Sequence, residues 1–170
     1  MIFNRKIDLP EVIDYREALI PIGKNQKLIK GDILKTDWIN NIKNEIVNRP
    51  VLIIASGLFH YFTKKDVIKA IQNLMIFENS VELVFDALNY LGIKGVKKYM
   101  KQLGHNDAIM YFYVNVTYDL GHEIGENVKL IKEEKYYSKI SKEGMNFITK
   151  TSMIASDLFN MVKMIHLKLK

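Results

Sequence analysis

Apolar positions along the chain follow two rhythms. Some segments are apolar at nearly every position and others carry apolar residues three and four apart, the marks of buried strands and of amphipathic helices. Residues Ile2–Ile7 alternate enough for a short strand. Leu9-Pro10-Glu11 then predicts a helix start, with proline in the first turn and an acid beside it. That helix carries Val12, Ile13, Ala18 and Leu19 and ends before Pro21. Leu28–Lys30 predicts a second strand, ending at Gly31-Asp32. Asp37 or Thr36 is placed to cap a helix with Trp38, Ile39, Ile42, Ile46 and Val47 at helical spacing. Val51–Ala55 is apolar throughout, which predicts a strand buried on both faces in the middle of a parallel sheet.

The second half repeats the alternation. Thr63 is placed to cap a helix running to about Phe77, with Val67, Ile68, Ile71, Leu74 and Met75 inward. Val81–Ala87 predicts a strand, followed by a helix to about Lys101. Asn115 or Thr117 is placed to cap a short helix near Tyr118–Ile124. Val128–Lys135 predicts a strand, Glu143–Phe159 a helix and Met161–Leu169 a terminal strand. Strand and helix in alternation, then two strands around a late helix, predict a doubly wound, mostly parallel α/β sheet with an antiparallel C-terminal strand. The 170 residues fit one domain.

Composition narrows the chemistry. No cysteine occurs, so disulfides, thiolate catalysis and cysteine zinc sites are excluded. No apolar run is long enough for a membrane helix, and the N-terminus lacks a signal-peptide layout, so the expected location is cytoplasmic, without a membrane partner. The net charge of +6 raises nucleic acid as a partner. Against it, the only arginines are Arg5, Arg16 and Arg49, and the lysines are scattered among acids, as a solvated surface would have them. No nucleic-acid partner is therefore expected.

In open α/β sheets ligands bind beyond the C-terminal ends of the strands. Those positions hold Asp8, Gly31-Asp32-Ile33, Ser56-Gly57 and the neighbourhood of Asp86. An acid after one strand suits ribose hydroxyls, and an acid after the next suits an adenine amino group. Polar residues also end strands simply to cap the helix that follows. His60 is positioned either as a base facing a substrate or as a partly exposed histidine entering a helix. Tyr111-Phe112-Tyr113 and Tyr136-Tyr137 fit an aromatic pocket or ordinary packing equally well. His105, His122 and His166 show no ligand spacing, so no metal site is expected. Ser56-Gly57 lacks the upstream glycine of a nucleophile elbow.

Three segments in order carry a resemblance: Ile7-Asp8-Leu9-Pro10-Glu11-Val12-Ile13; Ile29-Lys30-Gly31-Asp32-Ile33-Leu34 with Asp37-Trp38-Ile39; and Arg49-Pro50 through Ser56-Gly57-Leu58-Phe59-His60-Tyr61-Phe62. With Val81–Leu88, they resemble the leucine carboxyl methyltransferase family, in its bacterial branch of polyketide O-methyltransferases. The match is good over residues 7–90 and loose beyond. The resemblance implies a class I fold, S-adenosylmethionine as cofactor and a small-molecule or carboxylate acceptor. It implies Asp8 near the ribose, Asp32 and Ile33 at the adenine, Ser56 and Gly57 toward the rest of the cofactor, and His60 and Tyr61 toward the substrate. Ser56 stands where the family usually has glutamate.

The family's first strand and its Gly-x-Gly loop have no counterpart, because no Gly-x-Gly occurs in the sequence. The resemblance therefore implies the C-terminal part of a catalytic domain, with a gap where the first strand separates the second from the fourth. Expected ways to close it are a homodimer, a complementing N-terminal half, or re-pairing of the flanking strands. A truncated, non-catalytic relative is the alternative to an active enzyme.

Overall fold

The computed structural model describes residues 4–105 and 109–170. Its strands are β1 (Asn4–Asp8), β2 (Gln26–Lys30), β3 (Val51–Ala55), β4 (Val81–Leu88), β5 (Lys129–Lys135) and β6 (Val162–Lys168). The helices are α1 (Pro10–Leu19), α2 (Asp37–Ile42), α3 (Lys64–Leu74), α4 (Tyr90–Gln102), α5 (Thr117–Ile124) and α6 (Phe147–Leu158). The predicted strand at Ile2–Ile7 is present from Asn4; its first two positions lie outside the described residues.

The strands form two sheets instead of one. β1 pairs with β2 in parallel, and a four-stranded sheet has the order β3-β4-β6-β5. β3 runs parallel to β4, and β6 is antiparallel to both β4 and β5, so parallel and antiparallel pairings are equal in number. β1 and β3 do not re-pair.

Side-chain alternation gives the four-stranded sheet two faces. Val81, Leu83, Phe85 and Ala87 of β4 enter the main core, with Val67, Ala70, Ile71 and Leu74 of α3, Trp38, Ile39 and Ile42 of α2, and Leu120 and Ile124 of α5. Ile7 of β1 and Ile29 of β2 join this core, so both sheets share it. On the other face, Leu88 of β4 and Ile93 of α4 form a smaller cluster with Met110.

Several local expectations need correction. α2 ends at Ile42 and passes into a 3₁₀ turn over Lys43–Glu45, leaving Val47 exposed, and neither Thr36 nor Asp37 caps it. α3 stops at Leu74, short of Phe77, though Thr63 does cap it by accepting the Asp66 N–H. α5 has no side-chain cap: Asn115 instead accepts from the Tyr90 N–H, and Thr117 donates to Glu133. α6 begins four residues later than expected, because Gly144 takes a φ of 73° and Asn146 is the capping residue. Lys163 departs from the solvated-surface reading of the lysines. It is 3% exposed, bonded to the Asn115 carbonyl and paired with Glu133.

β3 differs most from expectation. Ile53 faces the main core, but Leu52 and Ile54 on the opposite face are 59% and 68% exposed. No described element covers that face of β3.

Candidate functional site

The parallel strand ends bring the expected residues together in two groups. In the first, Asp8 and Lys30 are register partners at the ends of β1 and β2, and the Gly31 N–H extends the ladder by donating to the Asp8 carbonyl at 2.9 Å. Asp8 and Asp32 therefore leave neighbouring strands at the same end. Each carboxylate uses one oxygen locally: Asp8 Oδ1 accepts the Leu9 N–H at 2.9 Å, and Asp32 Oδ1 accepts the Leu34 N–H at 2.9 Å. Such short polar turns fix the side chain and leave the second oxygen of each acid to an outside donor. Ile33 is half-buried against the core beside Asp32. Gly31 is required here because a Cβ would meet Trp38 Cβ at 2.7 Å.

The second group lies past β3 and β4. Ser56 is exposed, and Gly57 turns the chain with a φ of 66° and open space where a Cβ would stand. Its N–H donates to Asp86 Oδ1 at 2.6 Å. The other oxygen of Asp86 faces His60 Nε2 at 3.0 Å. A carboxylate only accepts, so Nε2 carries a proton. Nδ1 is buried without a partner among the described residues.

Burial pushes the Asp86 carboxyl upward, but the hydrogen bonds from His60 and from the Gly57 N–H outweigh it and hold the group below its ordinary value. His60 is thus neither partly exposed nor open to solvent. It is 7% exposed in a 3₁₀ turn over Phe59–Tyr61.

An aromatic rim surrounds this second group. The Tyr111 N–H donates to the His60 carbonyl at 2.8 Å, which lays the 109–116 segment over the strand ends. Phe112 is buried edge-on against Phe59, while Tyr61, Tyr111 and Tyr113 are exposed. Tyr90 packs against Tyr113 with ring centres 5.6 Å apart. Tyr136 and Tyr137 pack on each other beyond the end of β5 and do not join this rim. A cleft of about 600 Å³ lined by Arg49, Pro50, Asn79 and Ser80 lies at the opposite ends of β3 and β4, away from these residues.

The sequence marks Asp86 only as an acid near a strand end. Its pairing with His60 and Gly57 depends on the turn after β3 reaching back to β4, which no local pattern announces. Among the described residues no cluster of histidine and acidic side chains is suited to a metal ion, and no helix is long and apolar enough to cross a membrane.

No family model matches the chain. The tetracenomycin polyketide synthesis O-methyltransferase TcmP of Streptomyces glaucescens is 27% identical over 82 residues, which is 48% of this chain and 29% of that protein. A S-adenosylmethionine-dependent methyltransferase from Anabaena variabilis superposes with a TM-score of 0.63 at 11% identity, covering 98% of this chain and 68% of its own. LepI, solved in complex with S-adenosylmethionine, superposes with a TM-score of 0.56 at 10% identity, over 98% of this chain and 36% of its own. The chain thus spans less than a third of the curated relative that it matches. It resembles the S-adenosylmethionine-dependent methyltransferases in fold and, over about half of its length, the tetracenomycin-type O-methyltransferase in sequence.

Proposed function

We infer that the chain is the C-terminal part of the catalytic domain of an S-adenosylmethionine-dependent O-methyltransferase acting on a small-molecule or carboxylate acceptor. The observation that carries this reading is the pair Asp8 and Asp32, held at the ends of adjacent parallel strands with one carboxylate oxygen each left for a ligand. Asp8 would accept from ribose hydroxyls, and Asp32 from the adenine amino group, with Ile33 against the ring. Ser56 and Gly57 would line the path toward the methionine portion, where the absent Cβ of Gly57 leaves room. The cofactor would supply an electrophilic sulfonium methyl. The chain's own part is then to hold the acceptor oxygen in line and keep water away. Tyr61, Tyr111 and Tyr113 are exposed aromatic side chains on the turn of His60 and on the segment that bonds to it, which suits a flat aromatic acceptor.

The gap between the sheets favours a second reading, in which this chain acts only after association with a complementing half. Titration calorimetry with S-adenosylmethionine and S-adenosylhomocysteine tests the first. Micromolar binding is expected where the site is complete. Asp8→Ala and Asp32→Ala should each then weaken it by about tenfold to a hundredfold, since a hydrogen bond to a charged group is worth about 1.5–3 kcal/mol. Binding unchanged in both variants would refute the assignment. No binding by the chain alone would favour the second reading.

A further inference from the structure

The segment 110–116 has no helix or strand of its own and crosses the site end of the four-stranded sheet as a strap. Met110, Phe112 and Val114 are buried while Tyr111 and Tyr113 are exposed, the alternation of a chain with one side turned down onto the sheet. Its fastenings follow the spatial order of the strands, β3-β4-β6-β5. The Tyr111 N–H donates to the His60 carbonyl in the turn after β3 at 2.8 Å, and the Val114 N–H donates to the carbonyl of Leu88, the last residue of β4, at 2.7 Å. The Asn115 carbonyl then accepts from Lys163 Nζ of β6 at 3.2 Å, and the hydroxyl of Thr117 donates to Glu133 of β5. The Asn115 side chain accepts the Tyr90 N–H, which ties the first turn of α4 to the same strap.

One of these fastenings is out of character with its place. Lys163 lies on the face of β6 that sends Ile165 and Leu167 into the main core, where alternation calls for an apolar side chain. Burying an ammonium is costly unless it is paired and hydrogen-bonded. Its described acceptors are the Asn115 carbonyl and Glu133 Oε2, and Glu133 uses that same oxygen to hold Thr117. Stability alone does not account for such a pair, because apolar residues of similar volume are often as stabilising or more so. What an apolar side chain cannot supply is a donor for the strap's carbonyl and a cation that fixes the carboxylate at its end.

We propose that Lys163 is a positioning residue for an aromatic acceptor: it fixes the strap from beneath, so that Tyr111 and Tyr113 stand as a rigid aromatic wall for a flat ring. The role of that wall rests on the function proposed above; the fastening does not. Tyr113 is braced from the side by Tyr90, whose ring centre is 5.6 Å away. The candidate cofactor acids Asp8 and Asp32 follow strands of the other sheet and bond within their own turns. A loosened strap is therefore expected to weaken binding of the ring and to leave cofactor affinity unchanged, whereas general damage to the fold lowers both.

Lys163→Met leaves Glu133 without its cation, so the double variant Lys163→Met/Glu133→Met, which removes both charges at similar volume, is measured beside it. The acceptor probe is naphthol, followed by its own fluorescence, and S-adenosylmethionine is titrated separately by calorimetry. Amide hydrogen exchange at Tyr111 and Val114 is expected to quicken by about tenfold in the double variant, with Leu83 and Phe85 of β4 unchanged. Naphthol binding should weaken by about threefold to tenfold, and in Tyr113→Leu by a similar factor without the faster exchange. S-adenosylmethionine affinity should stay within about twofold of wild type. Unchanged exchange at Tyr111 and Val114 would overturn the fastening. The acceptor role fails if wild type does not bind naphthol at about 1 mM, or if the double variant loses naphthol and cofactor affinity in equal measure. Naphthol binding that depends on Lys163, in a protein that binds no S-adenosylmethionine, would uphold the wall and count against the methyltransferase reading.

Discussion

Alanine at position 92 is expected to destabilise the protein by about 3 kcal/mol, whereas alanine at position 95, one turn along the same helix, is expected to stabilise it by roughly 0.5–1 kcal/mol. On helix propensity alone both changes are favourable, since glycine costs about 1 kcal/mol relative to alanine in a helix interior. Space decides the sign. A Cβ on Gly92 would stand 2.2 Å from the Met161 carbonyl oxygen, and one on Gly95 would meet only the mobile end of the Met161 side chain at 3.5 Å.

Met161 leads into β6, and its carbonyl accepts the Asn89 N–H at 3.0 Å. Asn89 also donates from Nδ2 to the Phe159 carbonyl at 2.9 Å and caps α4 by accepting the Gly92 N–H at 2.7 Å. The start of α4 is thus fastened by backbone to the turn before β6, and a methyl at 92 must break that fastening. Overpacking of about 1–3 kcal/mol and the loss of one or two hydrogen bonds at about 1 kcal/mol each outweigh the propensity gain. Urea midpoints of the two variants against wild type check it. A Gly92→Ala protein as stable as Gly95→Ala would show that α4 and β6 are not in contact as described.

What was legible in the sequence depended on how local the cause was. Thr63 and Pro10 act on the turn they begin, so both helix starts were readable from a few neighbours. The strand β4 has apolar partners on both faces, and its run of apolar residues reported that directly. Val51–Ala55 reads the same way, but a run of apolar residues records what a strand requires and says nothing of who supplies it. Leu52 and Ile54 are suited to a buried face that no described element of this chain provides.

The start of α6 is hidden in the sequence for a similar reason. Glu143 looks like a first-turn acid, and only the left-handed backbone at Gly144 shows that the helix waits for Asn146. At the candidate site, Asp8 and Asp32 were visible because strand ends are visible. Asp86 and His60 stand 26 positions apart and meet through a turn and a register, neither of which leaves a mark in either segment.

That second pair gives the other large effect. Asp86→Ala is expected to cost about 3–5 kcal/mol, a substantial part of the roughly 5–15 kcal/mol that holds a domain of this size together. The carboxylate is the acceptor for two donors at once, the Gly57 N–H and His60 Nε2. Removing it strands both, and the His60 side chain is buried with no second partner among the described residues. Asp86→Asn should fall between. Its carbonyl still accepts from Gly57, but its amide nitrogen then faces Nε2 and forces the imidazole proton onto Nδ1, where nothing accepts it.

The acid dependence follows from the direction of the shift. Because the folded carboxyl lies below its unfolded value near 3.8, the unfolded chain takes up the proton more readily and protonation favours unfolding. The contribution is complete above that value and is lost as pH falls through the lower folded one. The stability difference between wild type and Asp86→Ala should therefore narrow steadily as pH falls below about 4. Urea unfolding of both proteins across that range measures it. A difference that stays constant to pH 2 would mean that the hydrogen bonds from Gly57 and His60 are made equally well to a protonated Asp86, and that the turn carrying Ser56 and Gly57 is not held by its charge.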